Sequence, residues 1–292
     1  MAYQCSLIIN VYNQGEELRL ILDSVSRQSV SDFEVIIADD GSSDHTTDVI
    51  KDFQYKHPQM QLKHIWHEDT GYTKPIIFNK SVRHAATDYL IFLDGDMILH
   101  PRFIEQHLRF RQPKKVMVGG RGVKLREHFV EKLKNGEAKL NFDTISLIQR
   151  RLRGELTNWL RACVIENRLL RKLLTEEKGR LTGCNFALYK DAWIAVNGMD
   201  NTIREFGFND FELGCRLQRA GYELVDINLG ANAFHMEHPR PGRFSRKELT
   251  AKIKKCGYTQ CKYGYAELED GSTVELLRSI EKKKNKKKKK KK

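Results

Sequence analysis

Residues 1–118 switch repeatedly between two hydrophobic periods, and that switching narrows the possible folds more than any other feature. Ser6–Val11 (SLIINV), Phe33–Ala38 (FEVIIA) and Tyr89–Leu93 (YLIFL) are short, nearly continuous apolar runs, as expected of strands buried on both faces. Leu62–Trp66 reads as a further strand. Between them, Glu16–Gln28 sets Leu18, Ile21, Leu22 and Val25 at helical spacing, and Ile76–Ala86 reads as a helix behind Pro75. Strands alternating with helices predict βαβ units, and so an α/β fold with a mostly parallel sheet.

In such sheets ligands bind beyond the carboxyl ends of the strands. Two predicted strands end in acids there. The first runs into Asp39-Asp40-Gly41-Ser42-Ser43-Asp44, and the last into Asp94-Gly95-Asp96. A D-x-D turn offers the oxygen ligands that Mg²⁺ or Mn²⁺ prefer, although acidic turns are also common without metal.

The rest of the chain divides by composition. Residues 119–180 are a basic helical insertion, with Gly119, Gly120 and Gly122 around Arg121 and then a leucine- and arginine-rich stretch over about 140–175. Its apolar positions Leu152, Leu156, Trp159, Leu160, Val164, Leu170 and Leu173 approximate one helical face. That face either packs on the body or meets an anionic membrane. Residues 181–245 look globular again: 181–200 read as strand, helix and turn, Phe211–Ala220 as a helix stopped by Gly221, and Leu224–Ile227 as a strand. Residues 246–281 read as mostly helical, and 282–292 as a disordered lysine tail.

Charge needs care. The net charge is +13, but ten lysines crowd into residues 282–292, leaving +3 elsewhere. A uniformly basic nucleic-acid coat is thereby excluded, and no specific nucleic acid is expected as a partner. The 40% hydrophobic and 30% charged residues fit a globular chain. No apolar run is long enough to span a membrane, and the opening MAYQCSLIINVYN is not expected to act as a secretory signal. The six cysteines form no C-x-x-C pair, so reduced thiols in a cytoplasmic setting are expected, rather than disulfides or a zinc site at Cys256 and Cys261.

SLIINVYN, FEVIIADDGSSD and YLIFLDGDMI together resemble the opening of the family 2 glycosyltransferases of the GT-A fold. TGCNFALYKDAWIAVNGMD and GFNDFELGCRLQRAGYEL resemble the galactosyltransferase-type C-terminal segment of chondroitin-polymerase-like bacterial enzymes. The resemblance covers residues 5–118 and about 181–240 and skips the insertion. It implies a GT-A, Rossmann-like fold: a mostly parallel central sheet flanked by helices, divided into a nucleotide-sugar half (1–118) and an acceptor-binding, catalytic half (181–245).

It also implies roles. Asp39 and Asp40 would hold the uracil and ribose, Val11, Tyr12 and Asn13 would line the nucleotide, and Gly95 and Lys74 would sit beside the donor. Asp96 would bind the metal, Mn²⁺ or Mg²⁺, with Asp94 near the ribose or sugar. His235 or His238, in AFHMEHP, would complete the metal site; HMEH is not the HExxH of zinc proteases. Asn79 matches the family's asparagine in the following helix. In GFNDFE, Asp210 would be the catalytic base, with Phe208, Asn209, Glu212 and Trp193 towards the acceptor. Asn209 stands where the family usually has Glu. By residue type alone, Asp210 and Glu212 read equally as first-turn acids of a helix. Tyr72, Trp193, Phe206 and Phe208 are candidates to stack on sugars or simply to fill the core.

The activity implied is metal-dependent, inverting transfer from a UDP-sugar to a glycan or lipid-linked acceptor in bacterial surface polysaccharide synthesis. It would take place in the cytoplasm or peripherally on the inner face of the membrane, held by the basic helices and tail. The rival reading is a nucleotide-sugar-binding module without turnover, prompted by Asn209.

Overall fold

The computed structural model describes residues 3–119, 122–174, 180–204, 207–238, 251 and 257–268. Ten strands are defined among them. They are β1 (Cys5–Val11), β2 (Phe33–Asp39), β3 (Leu62–Trp66), β4 (Tyr89–Asp94), β5 (Met97–Leu99), β6 (Lys115–Val118), β7 (Val123–Leu125), β8 (Asn185–Tyr189), β9 (Glu223–Asp226) and β10 (Ala233–Met236). The α-helices among the described residues are α1 (Gly15–Ser26), α2 (Thr46–Lys56), α3 (Lys74–His84), α4 (Phe103–Phe110), α5 (Glu127–Lys134), α6 (Thr144–Leu152), α7 (Arg168–Leu174), α8 (Lys190–Ala195) and α9 (Asn209–Arg219).

Seven strands form the main sheet in the order β3-β2-β1-β4-β8-β6-β9. The pairs β1–β2, β2–β3, β1–β4 and β6–β9 are parallel, and only β8 runs antiparallel to its neighbours. The α/β expectation therefore holds, and the sheet draws strands from both sides of the insertion.

The apolar strand runs follow from burial on two faces. Leu7, Ile9 and Val11 of β1 point into one core with α1 and α5, while Ile8 points into the other with α3, α8 and α9. In the second core Phe92 stacks on Phe186 at 4.6 Å and on Trp193 at 4.7 Å, with Phe78 edge-on at 5.1 Å. Such aromatic pairs add to their area burial.

The chain leaves β1 in one direction, to β2 and β3, and returns on its other side at β4. This reversal opens a crevice at the carboxyl ends of β1 and β4. The register sets Val11 beside Asp39 and Asn10 beside Asp94, so both acidic clusters reach one edge.

Three short strands form a second sheet, β5-β10-β7. Sequence reading missed it, because segments of three or four residues carry no readable period.

The insertion also differs from expectation. Its leucine-rich stretch is not one helix. α6 ends before Gly154, whose φ is +71°, a 3-10 turn spans Trp159–Ala162, and α7 follows. Leu156 is buried and bridges Leu125, whereas Leu152, Leu160 and Leu173 are exposed, so the seven expected apolar positions do not share one helical face. Of residues 246–281 only 251 and 257–268 are described; 257–268 form irregular turns that meet the end of α8 through Gln260 and Ala195 and α9 through Arg219, and the remainder of the expected helical segment lies outside the described residues. The tail at 282–292 lies outside the described residues. None of the five described cysteines is joined in a disulfide. No helix among the described residues is long and apolar enough to cross a membrane.

A buried polar link joins α4 to β8. His107 on α4 is fully buried, with Nε2 2.9 Å from Asn185 Oδ1, and Asn185 Nδ2 donates to the Ala231 carbonyl at 2.9 Å. Burial, only partly opposed by the Asn185 bond, pushes His107 down to about 4. From pH 6.5 down to 4 the unfolded chain takes up a proton that the folded state refuses. Stability therefore falls as pH falls through that window, by roughly 3 kcal/mol for a full shift of this size. Urea unfolding across the window is expected to show that loss, and His107→Gln to flatten it. An unchanged pH slope in the variant would contradict this account.

Candidate functional site

The site starts at the turn between β4 and β5. Gly95 is required there, since a Cβ would lie 2.5 Å from the Asn10 carbonyl oxygen. The β5–β10 register pairs Met97 with His235, and the Met236 amide donates to the Asp96 carbonyl at 2.8 Å. This pairing brings His235 onto the acidic turn. His235 Nε2 lies 3.1 Å and His238 Nε2 3.2 Å from Asp96 Oδ2. The two rings stack at 5.7 Å.

Asp96, His235 and His238 are the one group of three potential ligands among the described residues whose donor atoms cluster this closely. Asp96 Oδ1 and His235 Nδ1 are buried, with no hydrogen-bond partner among the described residues. Burial opposes the charge on Asp96, but the two imidazoles outweigh it and hold the carboxyl well below the usual range. A carboxylate with an orphan oxygen and two converging imidazoles fits a divalent cation. The mixed nitrogen and oxygen set suits Mn²⁺ better than Mg²⁺, which favours oxygen ligands. Beside this triad, between α1 and α5, a cleft is lined by Gln14, Glu17, Glu127, Lys134 and His238.

Asp94 faces elsewhere. Its Oδ1 accepts from Lys74 Nζ at 2.6 Å, and the same ammonium lies 3.9 Å from Asp210 Oδ1. Lys74 is buried at the start of α3, its ammonium 5.2 Å from the Phe78 ring centroid. Burial alone would lower its pKa, yet Asp210 and Asp94 hold it well above the ordinary value. Asp94 is raised, by burial first and then by Asp96 and Asp210, although Lys74 opposes.

Asp210 sits in the first turn of α9. Its carboxylate rests on Gly183, where a Cβ would come within 2.1 Å of both oxygens. Its Oδ1 is buried without a hydrogen-bond partner among the described residues.

At the nucleotide end, Asp39 is fully buried; Oδ2 lies 2.8 Å from His64 Nε2 and Oδ1 accepts from the Ser42 amide at 2.8 Å. Burial works against its charge, but His64 and Ser42 lower it below the usual range. Asp40 turns inward. It meets His67 Nε2 at 2.9 Å and accepts from the Thr73 amide at 2.9 Å and from the Thr73 hydroxyl. It thus ties down the loop that delivers Lys74. Asn13, at φ +50°, accepts from the Ser43 amide at 2.9 Å and shapes the loop after β2. Tyr12 is exposed and donates to Asp69 at 2.9 Å, while Val11 is buried in the core.

The residues assigned to the acceptor lie deeper than the resemblance implies. Glu212 is buried and forms a two-pronged ion pair with Arg216, both bonds 2.6 Å, and Arg216 also donates to the Val196 and Gly198 carbonyls. Asn209 is buried and accepts from the Tyr72 hydroxyl at 3.1 Å. Trp193 is a core residue whose Nε1 donates to Asn79 Oδ1 at 3.0 Å, and the Asn79 amide donates to the Met199 carbonyl. Phe208 is buried against Ile203. Phe206 lies outside the described residues. The structure therefore gathers Asp94, Gly95, Asp96, His235, His238, Lys74 and Asp210, but leaves Trp193, Glu212 and Asn209 as supports.

Sequence reading passed over His64, His67, Thr73 and Gly183. His64 stands opposite Ile37, two positions before Asp39, and a histidine within the strand expected at 62–66 was the available signal. Gly183 shows its role only through contact with a residue 27 positions away.

A parallel sheet with acids at its switch point, followed by a small sheet that returns a histidine to them, is the architecture of the GT-A glycosyltransferases. The glycosyl transferase family 2 model matches residues 6–190, more than half of the chain, and the chain belongs to that family of transferases. A second model, described as the N-terminal domain of galactosyltransferase, matches residues 175–239. Among curated relatives, chondroitin synthase of Escherichia coli is 24% identical over 261 residues, covering 85% of this chain and 37% of that protein. The chain thus spans little more than a third of that relative's length. Among solved structures, a mannosyltransferase of Pyrobaculum calidifontis, in complex with GDP-Man and Mn²⁺, superposes with a TM-score of 0.54 at 15% identity, over 83% of this chain and 59% of that one. TarS 1-349 of S. aureus, in complex with UDP-GlcNAc, superposes with a TM-score of 0.51 at 12% identity, over 94% and 70%. At these identities the likeness shows the fold alone.

Two substitutions separate support from chemistry. Gly183→Ala is expected to displace the Asp210 carboxylate and lower turnover by about 100-fold or more with little change in the folded circular dichroism spectrum. Glu212→Ala is expected to destabilise the fold by about 3–5 kcal/mol, because it strands a buried guanidinium. Urea midpoints read the second effect; a Glu212→Ala protein of normal stability would refute the supporting role.

Proposed function

We propose that this domain is a metal-dependent, inverting glycosyltransferase that moves a sugar from a UDP-sugar to a hydroxyl of a glycan or lipid-linked acceptor during polysaccharide synthesis. The convergence of His235 and His238 on Asp96, with Asp210 across the crevice beside Lys74, carries the reading. The chondroitin synthase relative supports a polysaccharide product. The two structural neighbours hold different nucleotides, GDP-Man and UDP-GlcNAc, so the uridine assignment rests on Asp39 and the family resemblance.

Asp96, His235 and His238 would hold the cation. A divalent ion in that position supplies a Lewis acid for the charge that grows on the diphosphate leaving group. Asp39, fixed by His64 and Ser42, would face the base, and Asp94, fixed by Lys74, the ribose or sugar. Asp210 would take the proton of the attacking hydroxyl. The acceptor oxygen then bonds to the anomeric carbon as the bond to the diphosphate oxygen breaks, and this single displacement inverts that centre. No covalent nucleophile is needed.

The binding-only reading rested on Asn209. That residue is buried against Tyr72 and leaves Asp210 in place, which favours turnover.

The test is UDP release from a panel of UDP-sugars with Mn²⁺ and polysaccharide or lipid-linked acceptors. Activity is expected, and a chelator should abolish it. Asp210→Asn is expected to lower kcat by about 10²–10⁴-fold with nucleotide affinity retained. Asp96→Ala and His235→Ala are expected to weaken Mn²⁺ binding, read by calorimetry, by at least about tenfold. Nucleotide binding without transfer to any acceptor would favour the binding module, and full activity in Asp210→Asn would remove Asp210 as base.

A further inference from the structure

The insertion displays aliphatic side chains where a globular protein normally hides them. On α6, Leu147 turns inward, while Ile145 is 70% exposed and Leu152 82% exposed, with Ile148 between them on the same face. The i, i+3, i+7 spacing makes this one stripe. Leu160 of the adjoining 3-10 turn is exposed too. On α7, Leu169 is 75% and Leu173 83% exposed. Isolated exposed leucines are ordinary; a run of them through three consecutive elements marks a contact surface.

Among the described residues the charges around them are predominantly basic. Glu155 is buried and engaged by Arg150 at 2.7 Å. Glu166 is engaged by Arg102 and Arg109, at 2.5 and 2.6 Å. Asp143 caps α6 through the Ser146 amide. Arg151, Arg153 and Arg161 are all exposed. Glu155 and Glu166 are thus paired within the protein, Asp143 is an exposed acid at the start of α6, and the exposed charges flanking Leu152 and Leu160 among the described residues are arginines.

We propose that this face, centred on α6 and the 3-10 turn, docks on an anionic lipid surface, with Ile145, Ile148, Leu152 and Leu160 entering the acyl boundary and Arg151, Arg153 and Arg161 meeting lipid phosphates. Charge complementarity selects this occupant. An aliphatic stripe with a cationic flank is the composition of an interfacial helix. A protein interface of this size would draw on aromatic anchors, which the exposed stripe lacks. The inference stands independently of the reaction proposed above.

The test is co-sedimentation of the full chain with phosphatidylcholine vesicles, with and without phosphatidylglycerol, at physiological salt. Binding is expected only with the anionic lipid. Ile148→Ser/Leu152→Ser and Arg151→Glu/Arg153→Glu are each expected to weaken it by about tenfold or more, with the thermal midpoint and oligomeric state unchanged. Residual binding after Lys286–Lys292 are changed to Gln would still respond to the α6 pairs. Three results would overturn the proposal. Binding could be insensitive to both α6 pairs and lost only with the lysines. The thermal midpoint could fall sharply in the serine pair, meaning the chain itself covers the stripe. The serine pair could dissociate an oligomer, meaning a second copy covers it.

Discussion

The buried ammonium of Lys74 is the interaction on which the site's geometry depends. Asp94, Asp96 and Asp210 are drawn into one crevice largely removed from water, where like charges repel strongly and each carboxylate loses hydration. Lys74, 2.6 Å from Asp94 and 3.9 Å from Asp210, compensates two of them at once. The third, Asp96, is compensated by the paired imidazoles. Lys74 reaches this place because Asp40 fixes Thr73 through its amide and hydroxyl. Asp40, at the end of β2, thus works through the backbone of a neighbouring loop.

This arrangement divides the D-x-D turn. Its two carboxylates do not act as a pair: one faces Lys74 and the crevice, the other faces the histidines. Gly95 permits the division, because the turn passes too close to the Asn10 carbonyl for any side chain. The small β5-β10-β7 sheet has a matching task. Its pairing holds β10 against the strand that follows the turn, so the histidine approaches with its backbone already hydrogen-bonded. Positioning by a strand ladder loses less orientation than positioning by a loop.

Legibility in the sequence followed interaction range. The strand runs of β1, β2 and β4 and the helices between them were readable, since two-sided burial writes a continuous apolar segment and one-sided burial a helical period. Helix boundaries fell within a few residues of those expected. The broken insertion was misread because Leu156 and Leu152 look alike in a pattern, yet one meets Leu125 and the other meets solvent. Glu212 was assigned to the acceptor on the family resemblance, beside the reading of a first-turn helix acid. Its partner Arg216 stands one turn later, a spacing equally consistent with a surface pair. Only the carbonyls of Val196 and Gly198 around that guanidinium reveal a buried clamp.

By itself, the sequence determined the α/β class, the arrival of two acidic strand ends at one sheet edge, and the family resemblance carried by residues 5–118 and 181–240. These depend on local periodicity and on side-chain types in contiguous motifs. The tertiary structure alone decided that both histidines meet one carboxylate oxygen, that Lys74 serves Asp94 and Asp210 together, and that Gly183 leaves room for the Asp210 carboxylate. Each of those is a contact between segments far apart in the chain. Strand register and packing set such contacts, and no local pattern encodes them.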